Sequence, residues 1–368
     1  MGINLAGVIF ANVGEMNLPE LTSKRTMASV PFGGKYRMID FPLSNMSNSG
    51  INNVAVIARN HFHSLMDHVG TGKAWDLSKR RSGLTILSPY RGHSFRHRIE
   101  AMYHLHGYFE QLKEEYILLT TSHCVANIDY NQMFDEHLAT GADITLMYKE
   151  MAIPAKANDP MVINTDETGK ITGIFINPET RDVCKFSPGA MIIKKDLLLS
   201  LVRECMSTNA MDFRKNLLQD NLRKLDMRAY EFKGYMSLVY SLSDYYGENM
   251  RIMDKAIRDE VFDPQRPIYT KVRDDAPCRY GLTSHVRNSL VAQGCFIDGD
   301  IENSVISKGV VVEKGAVIKN CVIMQDCTIS EGAHLEFVII DKDATITKNR
   351  ILSGCETYPM YIAKESKV

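Results

Sequence analysis

The sequence has almost no net charge, since 43 lysine and arginine residues face 44 aspartate and glutamate residues in a chain of 368. Non-specific binding to nucleic acid or to an anionic membrane needs an excess of basic residues, so neither partner is expected. No apolar run approaches the roughly 18 residues that cross a bilayer, and the first residues lack the pattern of a secretory signal. We therefore expect a cytoplasmic protein.

Clustered cysteines are also absent. The eight cysteines are scattered, with no C-x-x-C pair and no zinc-finger spacing to histidine. They are interpreted as buried thiols in a reducing compartment. The length exceeds one average domain, so two domains with a sizeable core are expected.

Short apolar runs alternate with amphipathic stretches up to about residue 235, which is typical of a layered α/β sheet. Strands are predicted at residues 7–10, 54–58, 84–87, 117–120, 144–148 and 190–193. Helical spacing is present over residues 99–112 and 212–225. Residues 161–176 form a predicted hairpin, because Thr168, Gly169 and Lys170 supply turn chemistry between two β-rich runs.

The apolar period changes to six near the C-terminus. Large apolar residues fall at Ile306, Val312, Ile318 and Met324, and small or β-branched residues fall four positions later at Val310, Ala316, Val322 and Thr328. A period of six indicates a parallel β-helix with three short strands per turn, each apolar residue stacking on the next coil. The register slips after Thr328 and resumes at Ile340 and Ile346. An apolar-rich sandwich, the alternative, would not keep this period.

These patterns predict three parts in the chain. Residues 1–244 form the sheet domain, residues 245–284 a linker, and residues 285–368 the β-helix. The linker is predicted because Pro264, Pro267 and Pro277 break any continuous helix or central strand.

Several segments resemble one enzyme family. They are VPFGGKYRMIDFPLSNMSNSGINNVAVI (residues 30–57), HSLMDHV (63–69), DYNQMFDEH (129–137), FSPGAMII (186–193) and DFRKNLL (212–218). They are similar to segments of ADP-glucose pyrophosphorylase (glucose-1-phosphate adenylyltransferase), the activated-sugar enzyme of bacterial glycogen synthesis. The resemblance covers nearly the whole chain. It implies a nucleotide-diphospho-sugar transferase-like (Rossmann-like) mixed sheet domain followed by a left-handed parallel β-helix.

The family's reaction places three demands on its site. The sugar phosphate attacks the α-phosphorus of ATP, which calls for a glycine-rich loop, basic side chains and carboxylates for magnesium. In the family the first strand leads into Gly-Gly-x-Gly-x-Arg-Leu. The resemblance aligns the paired glycines, the third glycine and the arginine with Asn12, Val13, Glu15 and Asn17. Met27 stands where the family has a lysine that meets the phosphates.

The resemblance also locates the metal and sugar positions. The two magnesium aspartates of the family correspond to Ser122 and Leu238, and the Glu-Lys pair of its sugar clamp corresponds to Ile176 and Asn177. Leucine cannot bind magnesium, and serine is a poor substitute for a carboxylate. We therefore predict no catalytic residues and no magnesium cofactor in this chain.

Loss of the loop, the bases, the metal ligands and the sugar clamp indicates a site released from catalysis. The pattern resembles the non-catalytic D-type subunits of the family, which implies assembly with a catalytic homologue into a heterotetramer and modulation of its activity. Two alternatives remain open. One is an active glucose-1-phosphate adenylyltransferase that uses other ligands, such as Asp129 or Asp244, and the other is a sensor that binds a sugar nucleotide without turnover.

Some basic residues of the family pattern are retained. Lys35 and Arg37 lie two apart, on the same side of an extended segment, where they can hold a phosphate. In the family the matching residues lie at an allosteric site between the domains, so the resemblance implies a small phosphorylated effector. Arg91 and Arg96, in a second basic cluster, are further candidates. For both clusters the alternative is a solvated charged surface.

Overall fold

The computed structural model describes residues 3–12, 18–78, 82–89, 95–179 and 182–368. Its α-helices are α1 (Pro19–Thr22), α2 (Asp40–Asn48), α3 (His63–Val69), α4 (Arg98–His104), α5 (His106–Gln111), α6 (Tyr130–Thr140), α7 (Lys195–Ser207), α8 (Leu242–Arg251) and α9 (Lys255–Val261). None of the helices in these ranges is long and apolar enough to cross a membrane.

The strands of the sheet domain are β1 (Leu5–Phe10), β2 (Pro31–Phe32), β3 (Tyr36–Arg37), β4 (Val54–Ile57), β5 (Leu84–Leu87), β6 (Tyr116–Thr121), β7 (Cys124–Ala126), β8 (Ile144–Ala152), β9 (Met161–Thr165), β10 (Ile171–Ile176), β11 (Val183–Ser187), β12 (Met191–Lys194), β13 (Met227–Glu231) and β14 (Met236–Leu238). One sheet has the order β10-β9-β11-β8-β12-β6-β1-β4-β5, with β13 paired to β8. Strands β1, β4 and β6 are parallel, whereas β12 is antiparallel to β6 and β8. The sheet is therefore mixed, and its two faces are covered by separate apolar clusters.

The predicted strands and the hairpin are confirmed, because each overlaps an observed strand. The helix predicted over residues 99–112 is interrupted at Leu105, where the backbone leaves the helical range (φ −98°, ψ 11°), and it forms α4 and α5. The helix predicted over residues 212–225 is instead a π-helix, Phe213–Leu218, followed by a 3₁₀ turn, Gln219–Asn221. Asp212 caps the π-helix by accepting a hydrogen bond from the Lys215 N–H at 2.9 Å.

The C-terminal domain is a left-handed parallel β-helix, as predicted. Its strands are β15 (Arg279–Tyr280), β16 (His285–Arg287), β17 (Leu290–Val291), β18 (Phe296–Ile297), β19 (Asp300–Glu302), β20 (Val305–Ile306), β21 (Val311–Val312), β22 (Val317–Lys319), β23 (Val322–Ile323), β24 (Thr328–Ile329), β25 (His334–Glu336), β26 (Val338–Ile340), β27 (Thr345–Ile346), β28 (Ile351–Ser353) and β29 (Met360–Ile362). Every third strand pairs in parallel, which gives three five-stranded sheets around one apolar interior.

The register predicted from period six is wrong at Met324. Ile306, Val312 and Ile318 lie in the interior, but the next interior residue is Ile323, five positions later. Ile301 pairs with Ile318, and Ile318 pairs with Leu335, so one coil takes 17 residues rather than 18. Met324 is therefore turned outward, toward the sheet domain.

The region predicted as a linker joins the two domains through a fourth apolar cluster. Residues 245–284 include most of α8, all of α9 and the first β-helix strand, which begins at Arg279, before the predicted boundary at 285. Residues from 18–41, 239–268 and 322–339 contribute to this cluster, here called the interdomain core. Beside it, the Arg25 guanidinium forms a buried ion pair with Asp341 of the β-helix.

Candidate functional site

The two positions of the family's magnesium aspartates lie close together. Strand β14 pairs with β7 so that Leu238 is opposite Cys124, two residues after Ser122. The next residue, Val239, donates its N–H to the His123 carbonyl at 3.0 Å. The fold thus brings Ser122 and Leu238 to one edge of the sheet, beside the carboxyl end of β1.

Neither side chain at this edge fits a magnesium ion. The Ser122 hydroxyl is fully buried and donates a hydrogen bond to the Ala11 carbonyl at 3.2 Å. Leu238 is 3% exposed and packs in an apolar cluster with Ile153, Val162 and Phe186. Magnesium binds hard oxygen ligands, most often carboxylates, and these two residues supply none.

Asn12 occupies the position of the family's first loop glycine. Its Nδ2 donates to the backbone carbonyl and the Oδ1 of Asn60, at 3.0 and 2.8 Å. Its Oδ1 accepts from the Arg59 N–H at 2.7 Å. The side chain therefore joins the segment after β1 to the segment after β4, where a phosphate-binding loop needs free backbone N–H groups. The other predicted loop positions, Val13, Glu15 and Asn17, lie outside the described residues.

The residues after the loop serve the domain contact. Met27 is 5% exposed and belongs to the interdomain core. Arg25, the arginine retained from the family pattern, is 5% exposed and pairs with Asp341, which is 1% exposed. The Tyr361 hydroxyl donates a second hydrogen bond to Asp341 at 2.8 Å. Arg25 therefore links the sheet domain to the β-helix through its ion pair with Asp341.

The sugar-clamp positions carry no charge. Ile176 ends β10 and is half-buried opposite Met161, a buried side chain. Asn177 is exposed, has a left-handed backbone (φ 52°), and donates its N–H to the Pro160 carbonyl at 2.8 Å. The acid and base of the family's clamp are thus replaced by a hairpin residue and a turn residue.

The two carboxylates considered as alternative ligands are bound to other parts of the chain. Asp129 accepts from the Asn131 N–H at 3.1 Å at the start of α6, and its second oxygen lies 3.2 Å from Arg266. Asp244 accepts from the Tyr240 N–H at 3.1 Å in the first turn of α8. Within the described ranges, no group of three or more His, Cys, Asp or Glu side chains is placed to hold a metal ion.

A cleft of about 340 Å³ between the two domains gathers basic residues. We call this cavity the basic cleft. The basic residues that line it are Lys35, Arg37, Lys271, Arg273, Lys308 and Lys342. The cleft also contains two acidic residues, Asp67 and Asp326. Asp326 accepts two hydrogen bonds from Arg273, at 2.9 and 3.0 Å. Its excess of positive charge makes the cleft suited to an anion.

The β-helix supplies one wall of the basic cleft as a ladder of side chains. Lys308, Gln325 and Lys342 occupy the same position in successive coils, 17 residues apart. The Asp326 N–H donates to the Lys308 carbonyl at 3.0 Å, and the Asp343 N–H donates to the Gln325 carbonyl at 3.1 Å, which holds the ladder in register.

The sheet domain supplies the opposite wall. The Arg37 guanidinium donates to the Ser64 carbonyl at 2.7 Å and to the Ser64 hydroxyl at 2.9 Å, which fixes its orientation. Asp40 accepts from the Arg37 N–H at 2.9 Å and lies 2.6 Å from His68 Nε2. Burial is the main cause that lowers the pKa of His68, so this imidazole adds little charge.

The charged forms of two lysines in the basic cleft are destabilised by their surroundings. Burial, together with the neighbouring Arg37 and Arg25 cations, lowers the pKa of Lys342 to about 7. Burial also lowers the pKa of Lys308. Among the described residues, Lys35, Lys308 and Lys342 make no ion pair with a carboxylate. A bound anion would supply the missing negative charge.

One of two buried polar atoms in the cleft supports the same conclusion. Thr270 Oγ1 and Gln325 Oε1 line the basic cleft and have no hydrogen-bond partner among the described residues. Both side chains are 8% exposed. Buried polar groups are normally paired. The Thr270 hydroxyl can donate to a bound anion, whereas Gln325 Oε1 only accepts and needs a separate donor.

The sequence located part of this cleft. Lys35 and Arg37 both line it, and their role in binding an effector stays a prediction. Arg96 does not line it, because it precedes α4, where its N–H donates to Glu100 at 2.7 Å, and Arg91 lies outside the described residues. The linker and β-helix cations were missed. The signal for the β-helix cations was the spacing of 34 residues, two coils of 17, between Lys308 and Lys342, which the period of six obscured.

Comparison with known proteins identifies the chain's relatives. The family model described as nucleotidyl transferase matches residues 15–254, and the one described as GlmU-like, C-terminal hexapeptide matches residues 274–354. The glycogen biosynthesis protein GlgD of Bacillus subtilis (strain 168) is 34% identical over 367 residues, covering 98% of this chain and 96% of the relative.

Of two further relatives, one is also named GlgD and the other is named as an enzyme. GlgD of Geobacillus stearothermophilus is 33% identical, and the match covers 86% of this chain and 84% of the relative. The glucose-1-phosphate adenylyltransferase of Halalkalibacterium halodurans is 34% identical, covering 83% of this chain and 82% of its own. The chain therefore belongs to the ADP-glucose pyrophosphorylase family of glycogen biosynthesis.

Proposed function

We propose that this chain is a regulatory, catalytically impaired subunit that assembles with a catalytic homologue into a heterotetramer and modulates ADP-glucose synthesis. One observation carries the proposal: the two metal-carboxylate positions are a serine bonded to the Ala11 carbonyl and a leucine buried in an apolar cluster. The name GlgD, borne by two relatives that match most of this chain, supports a D-type subunit.

The impairment follows from the charge that the reaction develops. Attack on the α-phosphorus of ATP places negative charge on phosphate oxygens, which enzymes offset with a metal ion and fixed donors. At the metal positions this chain has Ser122 and Leu238, and it needs no magnesium ion of its own in our proposal. Asn12 is bonded to Arg59 and Asn60, and Met27 is apolar and buried. No single substitution restores all these parts.

The basic cleft is the proposed site for a small phosphorylated effector. Six basic side chains from the sheet domain, the linker and the β-helix converge there, so a ligand in the cleft contacts both domains. Such a ligand favours the domain arrangement in which these cations are close together. This gives the effector a physical means to act on a partner subunit.

Two measurements test the proposal. The purified chain is assayed with glucose-1-phosphate, radiolabelled ATP and magnesium, with a catalytic homologue as the positive control. The two proteins are then mixed and separated by size exclusion. The proposal expects no turnover by this chain and a mixed complex on the column. Turnover comparable to the homologue would support the alternative of an active glucose-1-phosphate adenylyltransferase, which the similarity to such an enzyme favours.

A further inference from the structure

Cysteines stack on each other inside the β-helix. The residues immediately before β15, β18, β21, β24 and β27 form one column, consisting of Cys278, Cys295, Val310, Cys327 and Ala344. Arg279 pairs in parallel with Phe296, and Phe296 pairs with Val311. Cys278 and Cys295 are therefore neighbours on adjacent coils, while Val310 separates Cys295 from Cys327.

The spacing of these coils suits a disulfide. Adjacent strands lie about 4.8 Å apart, and bridged cysteines have Cα atoms roughly 4.4–6.8 Å apart. The two strands are tightly joined here, because the Arg279 N–H donates to the Cys295 carbonyl at 2.9 Å. Cys295 is 2% exposed in the β-helix core, and Cys278 packs against the same core. Both thiols thus lie in one interior column.

We propose that Cys278 and Cys295 form a redox modification site, in which a low-molecular-weight disulfide oxidises the two thiols to a reversible intramolecular disulfide. The partly exposed Cys278 reacts first. Its thiolate attacks one sulfur of the small disulfide, whose S–S bond breaks and releases one thiolate. The Cys295 thiolate then attacks the Cys278 sulfur and releases the second. The two protons from the cysteines leave with these thiolates, so two protein thiols are oxidised and the small disulfide is reduced to two thiols.

The order of attack agrees with the surroundings of each thiol. Burial raises the pKa of Cys295 to about 12, which makes it a poor first nucleophile. Its thiol donates to the Ser307 carbonyl at 3.1 Å, whereas the Cys278 thiol donates to the Ala292 carbonyl at 2.7 Å. Once the mixed disulfide has formed at Cys278, the neighbouring column position makes the second step intramolecular.

The bridge would act at the junction between the domains. Thr270, Lys271 and Arg273 line the basic cleft and precede Cys278 by eight, seven and five residues. A disulfide to Cys295 fixes the end of this segment to the second coil. The inference stands on the β-helix geometry and does not require the proposed regulatory function.

The test uses the full chain in a Cys355→Ser background, because Cys355 is exposed and would react on its own. The protein is incubated with glutathione disulfide, and its free thiols are then labelled in denaturant and mapped by mass spectrometry. We expect the seven remaining thiols to fall to five, with one peptide pair linking Cys278 and Cys295, and to return to seven after reduction. Cys327→Ser, the matched control in the same column, should still lose two thiols.

Other outcomes would overturn the proposal. A stable glutathione adduct at Cys278 without the linked peptide would show that the second step does not occur. Seven free thiols after oxidation, or a link from Cys295 to Cys327, would contradict the column geometry. If Cys278→Ser or Cys295→Ser still formed an intramolecular disulfide after the same treatment, the pair would be wrongly assigned.

Discussion

Replacing Lys342 by methionine should make the ligand-free protein more stable. Lys342 is half-buried in the basic cleft, and the cations of Arg37 and Arg25 add to the effect of burial on its pKa. Asp341 and Asp343 oppose this effect, but Asp341 is already paired with Arg25. Methionine keeps most of the volume of the side chain and removes the charge that the cleft holds unfavourably.

The magnitude follows from the pKa shift. A change from 10.5 to about 7 on folding corresponds to about 4 kcal/mol of lost stability at pH 7. The half-buried ammonium keeps part of its water, so we expect a gain of ~2 kcal/mol in the Lys342→Met variant. Between pH 7 and 10.5 the unfolded chain binds more protons at Lys342 than the folded chain does. The unfavourable contribution of Lys342 to the wild-type stability therefore shrinks as the pH rises through that window.

Urea unfolding at pH 7 measures the stability of the ligand-free variant. The same measurement with inorganic phosphate present gives the affinity for phosphate. Loss of one charged contact costs a bound phosphate roughly 1.5–3 kcal/mol, so its affinity should fall about tenfold or more. Lys314→Met, an exposed lysine on another turn of the β-helix, is the matched control and should leave phosphate binding unchanged. Destabilisation by Lys342→Met, or unaltered stabilisation by phosphate, would contradict this prediction.

Three further results are expected. Ser122→Asp with Leu238→Asp will not produce turnover in the radiolabelled assay, because the loop and the lysine position remain changed; turnover near that of a catalytic homologue would show that the loop matters less than argued. Leu238→Asp alone should lower the free energy of urea unfolding by about 3 kcal/mol, since it places a carboxylate in an apolar cluster, whereas Leu238→Met should cost less than about 1.5 kcal/mol. Arg25→Met should lower the free energy of unfolding by roughly 3–5 kcal/mol, because the carboxylate of Asp341 stays buried without its partner. Lys24→Met, which removes an exposed pair between the same domains, should cost far less, and equal losses would contradict the role given to Arg25.

The sequence predicted the elements whose signal is local. The strand at Leu5–Phe10 is apolar throughout, and every residue in it is buried, so a central position in the sheet could be read directly. Period six identified the β-helix, but the five-residue step to Ile323 could not be seen, because Met324 is as apolar as its neighbour. Met324 is apolar for another reason: it contacts the sheet domain.

The candidate site was likewise predictable only where its signal is local. The changed positions Ser122 and Leu238 could be aligned from nearby motifs, although only the fold shows that they lie close together. The basic cleft could not be predicted as a whole, since Lys35 and Lys342 are brought together by docking of the domains. Such docking depends on long-range contacts such as Arg25 with Asp341, which leave no periodic pattern in the sequence.

We propose that this chain regulates a reaction that it does not perform. The most direct measurement is a titration of this chain into a fixed amount of a catalytic homologue, with the initial rate of ADP-glucose formation as the readout. We expect the rate to rise and saturate at a defined subunit ratio, while this chain alone forms no ADP-glucose. A rate that grows in proportion to added chain without saturation, or that does not change at any ratio, would contradict it.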